Sequence, residues 1–220
     1  MNKSGKRALI AGSCRLLVFV VWTMLVQSYD VQAAGETGTE LGFSALNLRF
    51  HALTGVHWSL YILTDWLGLV PVLVCLIFAG LGLCQWLRRK SLRKVDFDLL
   101  LLGAYYALVV GAYLLFEMHP VNERPVLIDG AAEASYPSST TLLVLSVMPT
   151  LVFQLGRRVK AGAFRRSIGF LTILFSLFMA LGRLISGVHW LTDIVGAVLL
   201  SAGLFGLYRA AVLLYCGEKR

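Results

Sequence analysis

The sequence predicts an all-α, polytopic membrane protein, with six transmembrane helices in one bundle and both termini cytoplasmic. Three observations carry that reading. Of 220 residues, 58% are hydrophobic and only 15% charged. The apolar residues fall in long runs rather than at amphipathic spacing. Lysine and arginine gather in clusters between alternate runs, as cytoplasmic loops do.

Each run is long enough to cross a hydrocarbon core, which takes about 20 residues in a helix. The first covers residues 8–28 and follows Lys3, Lys6 and Arg7. The second covers 60–87 and runs into Arg88, Arg89, Lys90, Arg93 and Lys94. The third spans 97–116. The fourth, 139–155, is the shortest and precedes Arg157, Arg158, Lys160, Arg165 and Arg166. The fifth and sixth span 167–185 and 190–215, and Lys219 and Arg220 end the chain. All the basic clusters belong on one side, which six spans permit only with both ends there. No long polar linker interrupts the spans, so residues 1–220 read as a single membrane-embedded domain. A basic start, an apolar stretch and "VQAAG" at 31–35 also fit a cleaved signal peptide, but the apolar part is long for one, and a retained helix is expected.

The net charge of +8 needs no nucleic acid, because the basic runs serve as topology signals that also meet anionic headgroups. The opposite side holds Asp30, Glu36, Glu40, Glu117, Glu123, Asp129 and Glu133, with Arg49, Arg124 and Arg183 as its cations. Four cysteines without paired spacing indicate neither a metal site nor a disulfide framework. The longest outside loop, 29–58, contains a mixed apolar and polar stretch suited to a short interfacial helix. "TGVHW" at 54–58 is echoed by "SGVHW" at 186–190, with Trp58 and Trp190 as expected headgroup-depth anchors. His57 and Asp65 are eight apart, too far along a helix to touch.

Ionisable residues at a span are costly and mark functional candidates. "GRLISGVHWLTDIVG" at 182–196 places Arg183, His189 and Asp193 at the outside end of the last two spans. Asp193, one turn into the sixth, either orients the histidine ring or caps the helix start. In "NERPVLIDG" Arg124 precedes a proline, and "EASYPSSTT" puts Ser138, Ser139 and Thr140 at the entrance to the fourth span. Those hydroxyls suit an N-cap, and they equally suit an anion site at a helix start flanked by arginines.

Taken in order, Arg-Pro, Pro-Ser-Ser-Thr and Arg-x5-His-x3-Asp resemble the signature motifs of the type 2 phosphatidic acid phosphatase family of integral-membrane lipid phosphatases. The resemblance covers roughly residues 117–196, and its third motif is the specific one. It implies that His189 attacks phosphorus to form a phosphohistidine and that Asp193 holds the ring. It also implies that Arg124, Ser138, Ser139, Thr140 and Arg183 cradle the phosphate, without metal or other cofactor. Two positions depart from the family pattern. Thr140 stands where a second histidine protonates the leaving group, and Glu117 stands where a lysine is usual. His119 or Glu117 could supply the proton, or contact the substrate. A lipid diphosphate, whose leaving group is itself a phosphate, would need that proton less.

The expected function is therefore a lipid phosphatase or phosphotransferase at the outer face of a plasma membrane, with the short loops pointing to a bacterial one. The alternative is a catalytically impaired protein that binds or translocates a lipid phosphate. Substrate lipid and membrane lipids are the implied partners; the oligomeric state is not legible. A solute transporter fits less well, since acidic residues deep in a span and a clear inverted repeat are missing.

Overall fold

A computed structural model describes residues 2–36 and 38–217; Lys219 and Arg220 lie outside the described residues. The helices run α1 (Lys3–Ser28), α2 (Ser44–Thr54), α3 (Trp58–Leu67), α4 (Leu69–Arg89), α5 (Phe97–Met118), α6 (Ser139–Arg158), α7 (Ala163–Ile185) and α8 (Leu191–Tyr215). The described residues contain six helical segments long and apolar enough to cross a membrane, with α3 and α4 together forming the second. Each overlaps one of the six expected runs. The chain is a multi-pass membrane protein, and its lipid-facing surface carries exposed side chains such as Leu17, Leu76 and Ile173.

The second span is not one continuous helix. Pro71 in the first turn of α4 has no N–H for the Leu67 carbonyl, so the ladder is interrupted there. The Gly68 N–H instead closes α3 by donating to the carbonyls of Thr64 and Asp65.

The axis of the bundle is α8, buried on several faces through residues such as Ala197, Leu200, Leu204 and Val212. Tyr105 of α5, Val147 of α6 and Met179 of α7 complete this core. α1 lies antiparallel along α8 at backbone contact. A Cβ on Gly206 would stand 2.7 Å from the Gly12 Cα, and one on Gly203 would stand 2.6 Å from Leu16 Cδ2. Small residues drive helix association in lipid by permitting that approach.

The outside loop after α1 is more ordered than the sequence suggested. A hairpin pairs β1 (Gln32–Ala34) with β2 (Thr39–Leu41), antiparallel with Gln32 opposite Leu41. α2 follows, as the mixed stretch predicted, and it caps α8: Asn47 Oδ1 accepts from the Thr192 N–H at 3.2 Å, while its Nδ2 donates to Thr192 Oγ1 at 3.0 Å and to the Gly42 carbonyl at 2.8 Å. A helix start needs such acceptors because its first N–H groups have none within the helix. At the other end of the bundle Asp98 of α5 is 3% exposed and takes both Arg157 and Arg158 of α6 at 3.0 Å.

Candidate active site

His189 sits in the tight connection between α7 and α8. Gly187 there has φ of +73°, and a Cβ on it would fall 2.0 Å from the Gly55 carbonyl oxygen; glycine meets both demands. The His57 N–H donates to the Ser186 carbonyl at 2.9 Å, and His51 Nε2 lies 3.1 Å from the Gly187 carbonyl. The two echoed segments are thus packed against each other. Trp190 is not a headgroup anchor: it is 2% exposed, donates its indole N–H to the Glu123 carbonyl at 2.8 Å and packs against His51. The hairpin and the 119–137 loop cover it, which the run of residues around it did not reveal. Trp58 stays exposed, and the exposed His57 ring lies 2.8 Å from the Thr54 carbonyl through Nε2.

Asp193 stands at the third position of α8, where its Oδ2 accepts from the Trp190 N–H at 2.8 Å. It does not reach His189 by a direct hydrogen bond: Nδ1 and Oδ2 are 3.7 Å apart. Ser135 fills the gap, its hydroxyl donating to Asp193 Oδ2 at 2.5 Å and lying 3.1 Å from His189 Nδ1. Asn122 Nδ2 donates to the other oxygen, Oδ1, at 3.1 Å. Because the single hydroxyl proton goes to the carboxylate, Ser135 can only accept from the ring, which puts the imidazole proton on Nδ1. Arg183 Nη2 faces Nε2 at 3.5 Å. A guanidinium can only donate, so Nε2 carries a lone pair. Burial, reinforced by the positive charges of Arg124 and Arg183, holds His189 well below the usual histidine range, and the ring is neutral near pH 7.

The two arginines come from opposite directions. Arg183, in the last turn of α7, is 1% exposed, and its guanidinium carbon lies 4.8 Å over the Tyr61 ring of α3. α3 approaches this closely because position 182 is glycine, where a Cβ would meet Thr64 Cγ2 at 2.8 Å. Arg124 lies in the 119–137 loop. Each arginine has a carboxylate at the rim. Glu133 Oε2 is 3.1 Å from Arg124 Nε without hydrogen-bond alignment, and Asp65 Oδ1 is 3.7 Å from Arg183 Nη1. Among the described residues, Nε and Nη1 of both arginines are buried and lack a hydrogen-bond acceptor. Buried unsatisfied donors are expensive, and four of them around a neutral imidazole form a site for a tetrahedral oxyanion.

The remaining candidates divide. Ser138 is buried, its N–H donating to the Asp193 carbonyl at 3.2 Å and its hydroxyl to Thr141 Oγ1 at 3.0 Å. Ser139 and Thr140 are partly buried and line a neighbouring groove with Asp65, Tyr113 and Leu143. Glu117 is exposed and bonds toward Tyr113, one turn earlier on α5. His119 is exposed at the end of α5, where its backbone N–H closes the helix on the Leu115 carbonyl. Sequence reading did not find Ser135, Asn122, Tyr61 or Glu133 as members of the site. Ser135 and Asn122 are 54 and 67 residues before His189, and no local spacing signals their approach. By its sequence alone, Asp65 is only an acid near a span end.

Residues 117–214 match the family model described as the PAP2 superfamily. No protein of curated function matches the sequence. Among solved structures, the chain is similar to a transmembrane PAP2-type phosphatidylglycerolphosphate phosphatase from Bacillus subtilis. The TM-score is 0.61 at 15% identity, covering 93% of this chain and 97% of that one. The three motifs, the six spans and the family model over residues 117–214 all point to the PAP2 superfamily, the type 2 phosphatidic acid phosphatases, which this part of the chain resembles.

Proposed function

We propose that the protein is a membrane lipid phosphatase working at the outer face of a plasma membrane on a lipid phosphate or diphosphate, with His189 as its nucleophile. The observation that carries this reading is the Nε2 lone pair of a neutral, buried imidazole beside four guanidinium nitrogens without acceptors. Arg124 and Arg183 take the non-bridging phosphate oxygens, and a phosphate placed there competes with Glu133 and Asp65 for them. Nε2 attacks the terminal phosphorus while its bond to the lipid oxygen, or in a diphosphate to the bridging oxygen, breaks; that oxygen leaves as an alkoxide or a phosphate and takes its proton from water. The ring becomes cationic as a phosphohistidine, with Asp193 3.7 Å from Nδ1 to favour that charge. Water then attacks the phosphorus, losing a proton, and the neutral ring is restored as phosphate departs.

Two features favour a diphosphate. Thr140 has no group able to protonate an alkoxide near neutral pH, and the exposed positions of Glu117 and His119 leave them without an observed contact to the cradle arginines. A phosphate leaving group needs that proton less. The outer-face assignment is supported by the basic residues at the far ends of the spans, including Arg88, Arg89, Arg157 and Arg158.

The test is phosphate release from a panel of lipid mono- and diphosphates by detergent-purified protein, wild type beside His189→Ala. Release by wild type alone is expected, with diphosphates ahead of monophosphates. Equal release by both proteins would refute the reading. Saturable lipid-phosphate binding without release by wild type would instead establish a cradle that holds phosphate without cleaving it.

A further inference from the structure

Arginines occur inside the spans at a second place, remote from His189. Ser4, Arg7, Ala8, Ala11 and Arg15 recur at helical spacing and form one stripe of α1. Arg209 of α8 faces the same pocket, whose volume is about 610 Å³. Antiparallel packing of α1 on α8 at Gly12 and Gly206 puts Arg7, Arg15 and Arg209 around that one pocket. All three arginines are exposed, and among the described residues none forms an ion pair. Arg15 lies 12 residues beyond Lys3, roughly 18 Å along the helix. Arg209 lies 16 residues beyond Asp193, roughly 24 Å from the site on the same scale.

A lipid-facing arginine inside a span is costly, and such residues pair with an anion or reach for the headgroups. Three of them, on a floor kept open by Ala8, Ala11, Ala202 and Gly206, fit a phosphate headgroup. Arg209 and Phe205 also line an adjoining groove of about 550 Å³ between α6, α7 and α8, whose walls include Leu145, Pro149, Phe153 and Leu177. A basic pocket that shares Phe205 and Arg209 with an apolar groove, at the basic end of the bundle, suits an amphiphile with an anionic head.

We propose that Arg7, Arg15 and Arg209 bind the phosphate headgroup of an anionic phospholipid whose acyl chain lies in the groove between α6, α7 and α8. The site is separate from the His189 centre and does not depend on its chemistry. Phosphatidylglycerol is the probe, with phosphatidylcholine as the control carrying a phosphate of no net headgroup charge. Native mass spectrometry of the detergent-purified full chain counts the lipids retained by wild type, by Arg15→Gln/Arg209→Gln and by His189→Ala.

Wild type and His189→Ala are expected to retain phosphatidylglycerol over phosphatidylcholine. The double variant should bind it roughly 10- to 30-fold more weakly, since each basic residue near a surface adds about 1 kcal/mol of attraction for anionic lipid. Added salt should weaken retention by wild type, a readout that stands even if the double variant misfolds. Equal retention by wild type and a folded double variant would overturn the proposal, as would retention insensitive to salt. Loss of the preference in His189→Ala would place the lipid at the outer site and also overturn it. Displacement by inorganic phosphate at concentrations equal to the lipid would reveal an anion site that reads no acyl chain, and the proposal would fall on that result too.

Discussion

Ser135 donates its hydroxyl proton to Asp193 Oδ2 at 2.5 Å while standing 3.1 Å from His189 Nδ1. The carboxylate therefore governs the ring through an intervening hydroxyl rather than by direct contact. With only one proton to give, Ser135 can hold the imidazole in just one tautomer, the one that leaves Nε2 free.

That arrangement makes Ser135 a positioning residue with a separable signature. In Ser135→Ala, kcat should fall roughly 10- to 100-fold with KM little changed, the pattern of an interaction that matters to the transition state more than to binding. Ser135→Thr, which keeps the hydroxyl, should recover much of the loss. Nitrogen chemical shifts of His189 should report Nδ1–H in wild type and a tautomer mixture in the alanine variant. A fall in KM-dependent binding alone, with the tautomer unchanged, would mean that Ser135 only packs the loop.

The depressed protonation of His189 sets a pH expectation. Burial and then Arg124 and Arg183 lower its affinity for a proton, so the folded protein binds fewer protons there than the unfolded chain below an ordinary histidine pKa of about 6.5. This contribution to stability is present above that pH and is lost as pH falls below it. The nucleophile itself should stay neutral to more acidic pH, so the acid limb of kcat/KM due to His189 should lie well below 6.5. Arg124→Gln removes one of the opposing charges and should move that limb upward, while lowering kcat/KM by roughly 10²-fold through the lost phosphate contact. An acid limb unmoved in this variant would show that another group sets it.

Packing of α1 on α8 depends on the absence of side chains. Gly206→Leu would press a Cβ within 2.7 Å of the Gly12 Cα, so either the helices separate or the backbone shifts, at a cost of about 1–3 kcal/mol. Thermal unfolding in detergent should show a lowered midpoint. Gly82→Leu, on α4 where a Cβ meets nothing within 4 Å, is the control that should leave it nearly unchanged.

Much of the architecture is written in the chain without reference to its partners. A bilayer imposes length and apolarity on every spanning segment, so the runs at 8–28, 97–116 and 190–215 announce α1, α5 and α8 directly. The break at Gly68 is also visible in principle, because Pro71 carries its consequence within one turn. Arg183, His189 and Asp193 are legible for a similar reason: they share one connection and one helix start, and their chemistry is out of place among apolar neighbours.

Tertiary structure alone decided what these residues do to one another. The spacing of His189 and Asp193 suggested a direct bond, yet Ser135 enters between them from a loop 54 residues earlier, and Asn122 approaches from still further away. Asp65 and Glu133 take up the two arginines from α3 and from the 119–137 loop, although nothing in their local sequence points toward an anion site. Trp190, an interface anchor by its position next to a span, becomes buried because the β1–β2 hairpin and the loop before α6 fold over it. Periodicity and hydropathy register what a residue requires of solvent or lipid. Which distant polar group satisfies a buried one depends on how the helices and loops pack together, and the sequence records that only after folding has brought them within reach.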